Sequence, residues 1–293
     1  MLSQENVQWL CTQIGIEQKD ILSISPNPNA GMNNRTCIVS TRAGQYLLRL
    51  AGDRTDLFTP RMLEAHAYAA LHGLGITDEC LAYDVERGWK LTRYISDART
   101  CNPHNAEDQA RAMALLRRLH GAKVRLLGVD QPLERMERYA KIAKDAGSDM
   151  PSSGVYRRLA DAVYAQAMCF ALSEEELCPV HADALAGNVL FCPDGRALLI
   201  DLEFASMGSF YGDLADFCHD ANLSKSECVD LLERYLLKQS SAEERDALFA
   251  YCAVVALMWS GWAAFKEEAE PQKRAFFRKY RDMSLAFAKR MME

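Results

Sequence analysis

Apolar and polar positions divide the chain into a strand-rich first third and a helical remainder. Residues 5–14 carry apolar side chains at helical spacing and predict a short amphipathic helix. A strand is expected at 21–25. Residues 26–34, Pro-Asn-Pro-Asn-Ala-Gly-Met-Asn-Asn, are dense in turn formers and read as a loop. Residues 35–40 and 45–50 read as two strands joined by Thr41-Arg42-Ala43-Gly44. Pro60 opens a helix over 61–74, in keeping with proline in a first turn, and Gly73 and Gly75 close it. Two further strands, 81–85 and 89–95, flank Glu86-Arg87-Gly88. Helices are expected at 106–120, where Met113, Leu115, Leu116 and Leu119 share a helical period, and at 131–144 and 153–172. Two short strands, 188–191 and 197–200, follow around the turn signal Pro193-Asp194-Gly195. Helices at 225–237, 242–265 and 272–291 complete the chain. Five strands, then two, among many helices give an α+β order. A boundary near Ser96 divides residues 1–95 from 96–293, although no Pro/Gly-rich linker marks it.

Composition narrows the class. The 293 residues are 49% hydrophobic and 25% charged, ordinary for a globular protein and enough for two lobes. A net charge of −6 speaks against a nucleic acid partner, which needs basic patches, and is compatible with a cationic substrate. None of the ten cysteines stands in a C-x-x-C pair, so a zinc site or redox pair has little support; scattered apolar contexts suggest buried, reduced thiols in a cytoplasmic protein. The N-terminus shows no basic region followed by an apolar core, so no signal peptide is evident. The longest apolar stretch, 250–265, is interrupted by Ser260 and Gly261 and is short for a bilayer, so no membrane partner is expected. Oligomeric state stays open.

The densest chemistry lies at 178–217. His181-Ala182-Asp183 is followed by four residues and Asn188, then by the strand–turn–strand signal ending in Ile200-Asp201, with Glu203 two residues on. A lone Asp or Asn is most often a turn or capping residue, but the joint pattern is far more specific. It matches the Asp-x-x-x-x-Asn spacing and downstream metal-binding Asp of kinases. Phosphoryl transfer is the chemistry suggested. One carboxylate meets a substrate hydroxyl, while an Asn and a second carboxylate hold Mg²⁺ against nucleotide phosphates. A hairpin would bring Asn188 and Asp201 together, as suits an ion that takes few protein ligands.

These residues resemble the choline/ethanolamine kinase group within the aminoglycoside phosphotransferase-like, protein-kinase-like superfamily, and most of all its bacterial choline kinases. The group's His-Asn-Asp, Asn, Ile-Asp-Trp-Glu-Tyr and Asp-Leu-Ala correspond to His181-Ala182-Asp183, Asn188, Ile200-Asp201-Leu202-Glu203-Phe204 and Asp213-Leu214-Ala215; Ala182, Leu202 and Phe204 depart from the commonest residues. The resemblance implies a two-lobed fold, with a small antiparallel-sheet lobe carrying one helix and a larger, mainly helical lobe. It implies an ATP- and Mg²⁺-dependent kinase of a small cationic alcohol, choline favoured. Asp183 would orient the hydroxyl and accept its proton, with His181 bracing the loop. Asn188 and Asp201 would hold Mg²⁺, and Glu203 would assist on the metal or substrate side. Gly31, Met32, Asn33 and Asn34 would cradle phosphates. Arg49 stands where protein kinases carry a phosphate-binding Lys; on the strand alone it must face solvent or a partner. Glu64 would pair with it, and Arg93, Tyr94 and Ile95 would meet adenine.

Trp259 and Trp262, at i and i+3, share a helix face and by themselves suit core packing. The resemblance instead sets them around the substrate ammonium, which aromatic faces attract, with Phe204 as a third wall. Leu119-His120 resembles a recurrent Leu-His pair and reads as structural. The rival readings are a kinase of ethanolamine, thiamine or an aminoglycoside, and an inactive kinase-fold binding module. Retention of Asp183, Asn188 and Asp201 counts against the last. Preference between ATP and GTP stays open.

Overall fold

The computed structural model describes residues 2–28, 34–52, 58, 60–166 and 170–293. The expected phosphate-loop residues Gly31, Met32 and Asn33 lie outside the described residues. The architecture is α+β, in two compact units: residues 1–99 with 190–204, and residues 100–189 with 205–293.

The first unit is a five-stranded antiparallel sheet in the order β1-β2-β3-β5-β4, from β1 (Ile21–Pro26), β2 (Arg35–Thr41), β3 (Gly44–Leu50), β4 (Cys80–Asp84) and β5 (Trp89–Arg93). Helix α1 (Gln4–Ile14) is fixed at its start by a reciprocal cap. Asn6 N donates to Ser3 Oγ at 3.2 Å, and Ser3 N donates to Asn6 Oδ1 at 2.9 Å. Its buried Val7, Leu10 and Cys11 join Val39, Tyr46, Leu48 and Leu91 of the sheet in one apolar cluster. Helix α2 (Arg61–Leu71) takes Pro60 as its N-cap and ends before the expected residue 74, because Gly73 and Gly75 adopt left-handed φ of 78° and 63°. Strand β5 stops at Arg93, so Tyr94 and Ile95 follow it rather than end it. The chain leaves this unit along β6 (Arg99–Thr100) and returns after residue 189. There the turn between β8 (Val189–Phe191) and β9 (Ala197–Leu199) closes with Cys192 N donating to Arg196 O at 2.9 Å. Leu199 N donates to Ile76 O at 2.8 Å, which binds the returning segment to the loop before β4.

The second unit is helical around α8 (Ala242–Ala269). It holds α3 (Ala106–His120), α4 (Pro132–Asp145), α5 (Gly154–Tyr164), α6 (Phe210–Asp220), α7 (Lys225–Leu236) and α9 (Arg274–Met292), with a two-stranded antiparallel pair of β7 (Cys178–Val180) and β10 (Ser206–Gly208). Helix α8 is apolar all round because it is enclosed, packing on α4, α6 and α9. By length and composition it could cross a membrane, yet nearly all of its apolar window is buried in this unit. Gly261 permits the tight approach to α4: a Cβ there would stand 3.0 Å from the Tyr139 carbonyl carbon. Helix α5 ends at Tyr164, short of the expected 172. Helix α6 lies outside the helices expected from the sequence. Every residue from Gly212 to His219 is buried, Asp213, Asp216 and His219 included, so its polar positions face partners inside the unit and not solvent.

Candidate active site

Two constellations form, one in each unit. In the first, Arg49 and Lys90 are register partners on β3 and β5, and both side chains are buried. A buried cation needs a counter-charge, and both reach Glu64 on α2. Lys90 Nζ lies 2.7 Å from Glu64 Oε1, Arg49 Nη2 contacts Glu64 Oε2, and the Tyr83 hydroxyl donates to that oxygen at 2.8 Å. Arg49 thus has an internal partner. Burial by itself would raise the Glu64 carboxyl; Lys90 and Arg49 outweigh it and hold the pKa near 2.

The other end of the Arg49 guanidinium meets the segment after β9. Arg49 Nη1 lies 2.6 Å from Asp201 Oδ1 and 4.0 Å from Glu203 Oε2. Asp201 holds φ of 62°, a left-handed conformation unusual outside glycine, and so ends the strand and turns its side chain toward Arg49. Asn34 Nδ2 donates to Glu203 Oε2 at 3.4 Å, and Gly52 N donates to Asn34 Oδ1 at 3.4 Å. Asn34, Arg49, Glu64, Tyr83, Gly88 and Glu203 line a small, partly open cleft.

Three carboxylates here face two cations, leaving one negative charge in excess. The imbalance falls on Glu203, where burial, reinforced by the Asp201 charge, pushes the carboxyl up to about 8. Hard carboxylate oxygens fit a divalent cation such as Mg²⁺, whose charge would favour the ionised form of Glu203. Of the residues expected beside adenine, Arg93 is half exposed and pairs with Glu79 at 2.7 Å, Tyr94 N donates to Gln45 O at 3.0 Å, and Ile95 is half-buried. Phe204, half-buried, belongs to this unit.

The second unit holds the His-x-Asp loop directly after β7. Ala182 has φ of 57°. A left-handed alanine costs on the order of 1 kcal/mol, and its surroundings hold it there. The Asp213 carboxylate accepts from His181 N at 2.8 Å and from Ala182 N at 2.7 Å. The Ala182 carbonyl accepts from Arg135 Nη1 at 3.2 Å, and Arg135 is itself paired with Asp130 at 2.8 Å. His120 Nε2 lies 2.9 Å from Asp213 Oδ2, and its Nδ1 lies 2.8 Å from the Tyr235 hydroxyl. His120 is therefore structural. Burial tends to raise the Asp213 carboxyl, but the hydrogen bond from His120 and the charges around it leave it lowered. Asp183 and Asn188 are brought together: Asn188 Nδ2 donates to Asp183 Oδ2 at 3.1 Å and to Asp183 O at 2.9 Å. Asn188 ends a 3₁₀ turn, Ala186–Asn188, rather than opening a strand. With its nitrogen so engaged, its Oδ1 is the atom suited to a cation.

Trp259 and Trp262 stand edge to face, centroids 5.7 Å apart and planes at 85°. They are only 6% and 3% exposed. Trp259 Nε1 donates to Asp216 Oδ1 at 2.9 Å, and Tyr280 lies edge-on to Trp262 at 6.0 Å. Burial pushes the Asp216 carboxyl up to about 7 in spite of the Arg135 charge. Asp216, Arg135, Asp130, Lys90 and Tyr83 were not singled out from the sequence. Asp213 was noted as part of Asp-Leu-Ala, without a role.

A sheet unit with a buried Arg–Glu pair, and a helical unit with a braced His-x-Asp loop and an Asn five residues on, define a phosphotransferase of the kinase-like fold. The chain belongs to the phosphotransferase enzyme family, whose model matches residues 25–249. Protein LicA of Haemophilus influenzae is 24% identical over 251 residues, covering 81% of this chain and 72% of that protein. Choline kinase LicA from Streptococcus pneumoniae has a TM-score of 0.75 at 22% identity, covering 95% of this chain and 98% of that one. LicA in complex with AMP has a TM-score of 0.78 at 20% identity, covering 99% and 100%. The fold expected from the sequence and the likeness to choline and aminoglycoside kinases both hold, and the protein is a small-molecule kinase.

Proposed function

We propose that this kinase transfers the γ-phosphoryl group of ATP to the hydroxyl of choline, in the cytoplasm. The observation that carries the choline assignment is the perpendicular Trp259–Trp262 pair with the Asp216 carboxylate hydrogen-bonded to one ring. Aromatic faces attract a quaternary ammonium that has no N–H to donate, and a nearby carboxylate adds charge complementarity. The LicA relatives support the reading.

In this mechanism residues 1–95 receive the nucleotide, with adenine against Arg93, Tyr94 and Ile95. Arg49, held by Glu64, meets phosphate together with the loop ending in Asn34. Asp183 orients the choline hydroxyl and takes its proton as the oxygen attacks. Asp201 and Glu203 would hold Mg²⁺, which would supply neutralisation of charge on the phosphate oxygens, and Asn188 Oδ1 would offer a further oxygen donor from its own loop. Asp213 and Arg135 keep the Asp183 loop in place through the peptide of Ala182.

ADP release with ATP and Mg²⁺ tests the reading, using choline, ethanolamine, thiamine and kanamycin as acceptors. Choline is expected to give the highest kcat/KM. Preference for any other acceptor rejects the substrate assignment, and release with none of them favours the inactive binding module.

A further inference from the structure

We propose that Cys218, Cys228 and Cys252 form a three-thiolate site for a soft, thiophilic d¹⁰ metal ion of the Zn(II), Cd(II) or Cu(I) type, apart from the phosphoryl-transfer machinery. The three residues come from three helices, α6, α7 and α8, separated by 10 and 24 positions in sequence. Their sulfur atoms nonetheless all lie within 4.8 Å of one another, and each residue is fully buried. Three thiolates around one ion, at about 2.3 Å each, sit about 4.0 Å apart in a trigonal plane. Closing from 4.8 Å moves each sulfur by at most about half an ångström, within the reach of a side-chain rotation. Among the described residues the cluster consists of these thiols alone, so the donor set is purely soft and of low coordination number. Such a set selects thiophilic ions over Mg²⁺, which requires oxygen.

Burial disfavours the thiolate form at Cys218 and Cys252, so a ligated ion would have to supply the compensating charge, and one cation of the protein stands near the cluster. Cys228 Sγ lies 4.0 Å from the Leu223 carbonyl, which also accepts from Arg290 Nη2 at 2.9 Å. The guanidinium thereby places positive charge beside the cluster. Each thiol that ligates releases its proton to solvent. A divalent ion with three thiolates leaves a complex of charge −1, for which Arg290 is the nearby counter-charge. The same contacts indicate the depth of the site: it lies just beneath the α6–α7 link at 221–224, where Asn222 is exposed.

A filled site would tie together α6, which carries Asp213 and Asp216, and α8, which carries Trp259. Its effect is therefore on stability as well as occupancy.

The test uses the full chain, reduced, with Cd(II) as the probe. The wild type is expected to take up one equivalent, with an ultraviolet thiolate-to-metal charge-transfer band and a rise in Tm. Cys228→Ser and Cys252→Ser should each lose that equivalent and the Tm rise. Cys37→Ser, in the sheet unit, should keep both. Because a core variant can fail to fold, X-ray absorption on the Cd(II)-loaded wild type provides an independent reading, with three sulfur neighbours expected. Fewer than three sulfurs, no equivalent bound, or an undiminished equivalent in a folded Cys252→Ser overturns the proposal. Formation of a disulfide between two of the three thiols in place of metal uptake overturns it too.

Discussion

The backbone N–H of His181 points at the Asp213 carboxylate, 2.8 Å away and completely buried, although 32 residues separate the two. The same carboxylate takes the next N–H, that of Ala182, and the ring of His120. A helix that the sequence did not announce thereby sets the conformation of the loop that carries Asp183. Arg135 holds the opposite side of the Ala182 peptide.

Asp213→Asn keeps the shape but replaces one acceptor oxygen with a donor facing a donor. A buried hydrogen bond to a charged group is worth about 1.5–3 kcal/mol. The variant should lose stability of that order in urea denaturation. It should also lose kcat while KM for ATP stays close to wild type. A wild-type kcat in the folded variant would mean that the loop does not depend on this brace.

Asp216 gives a pH dependence with a definite sign. Its carboxyl is raised to about 7 in the fold, from a reference of 3.8. Its contribution to stability is therefore complete below about pH 4 and is lost as pH rises through about 7. Asp216→Asn mimics the protonated acid and can still accept from Trp259. Tm measured across pH 4–9 should place the variant close to wild type in acid and above it in mild alkali. The variant should also bind choline more weakly at pH 8, where it alone lacks the negative charge. Parallel Tm curves would show that Asp216 titrates normally.

Asp183→Asn should lower kcat by about 10²–10⁴-fold, the usual worth of a positioned general base, with nucleotide binding preserved. Asp201→Ala should raise the Mg²⁺ requirement more than Asn188→Ala, since it withdraws a full charge from a hard cation. It also releases Arg49 from its 2.6 Å contact, so nucleotide affinity is to be measured alongside. An unchanged Mg²⁺ titration for Asp201→Ala would remove it from the metal site.

Substitutions at Trp259 and Trp262 separate an ammonium cage from simple core packing. A desolvated cation–π contact is worth about 2 kcal/mol, roughly thirtyfold in affinity. Trp→Phe at either position should keep part of the choline affinity, and Trp→Leu should lose it, with KM for ATP little changed. At Trp259 both changes also remove the hydrogen bond to Asp216, so part of the loss there is electrostatic. If Tm falls while KM for choline holds, the rings serve packing alone.

Local signals were legible because short-range rules produced them. The Pro193-Asp194-Gly195 turn, the helix start after Pro60 and the approach of Asn188 to Asp183 depend on neighbours in the chain, and they stand where the pattern placed them. Pairings at long range obey a different logic. An arginine in an apolar strand reads as facing solvent or a partner; only the register of β3 with β5 and the seat of α2 decided that Arg49 shares Glu64 with Lys90. Helix α6 carries Asp213, Asp216 and His219 at helical spacing, yet all three are buried against partners that only the packed unit supplies. The three cysteines, unremarkable by spacing, met only once three helices had packed. Sequence determines what each segment prefers and which chemical groups it carries. Burial, which selects the groups that must find each other away from water, is a property of the packed molecule.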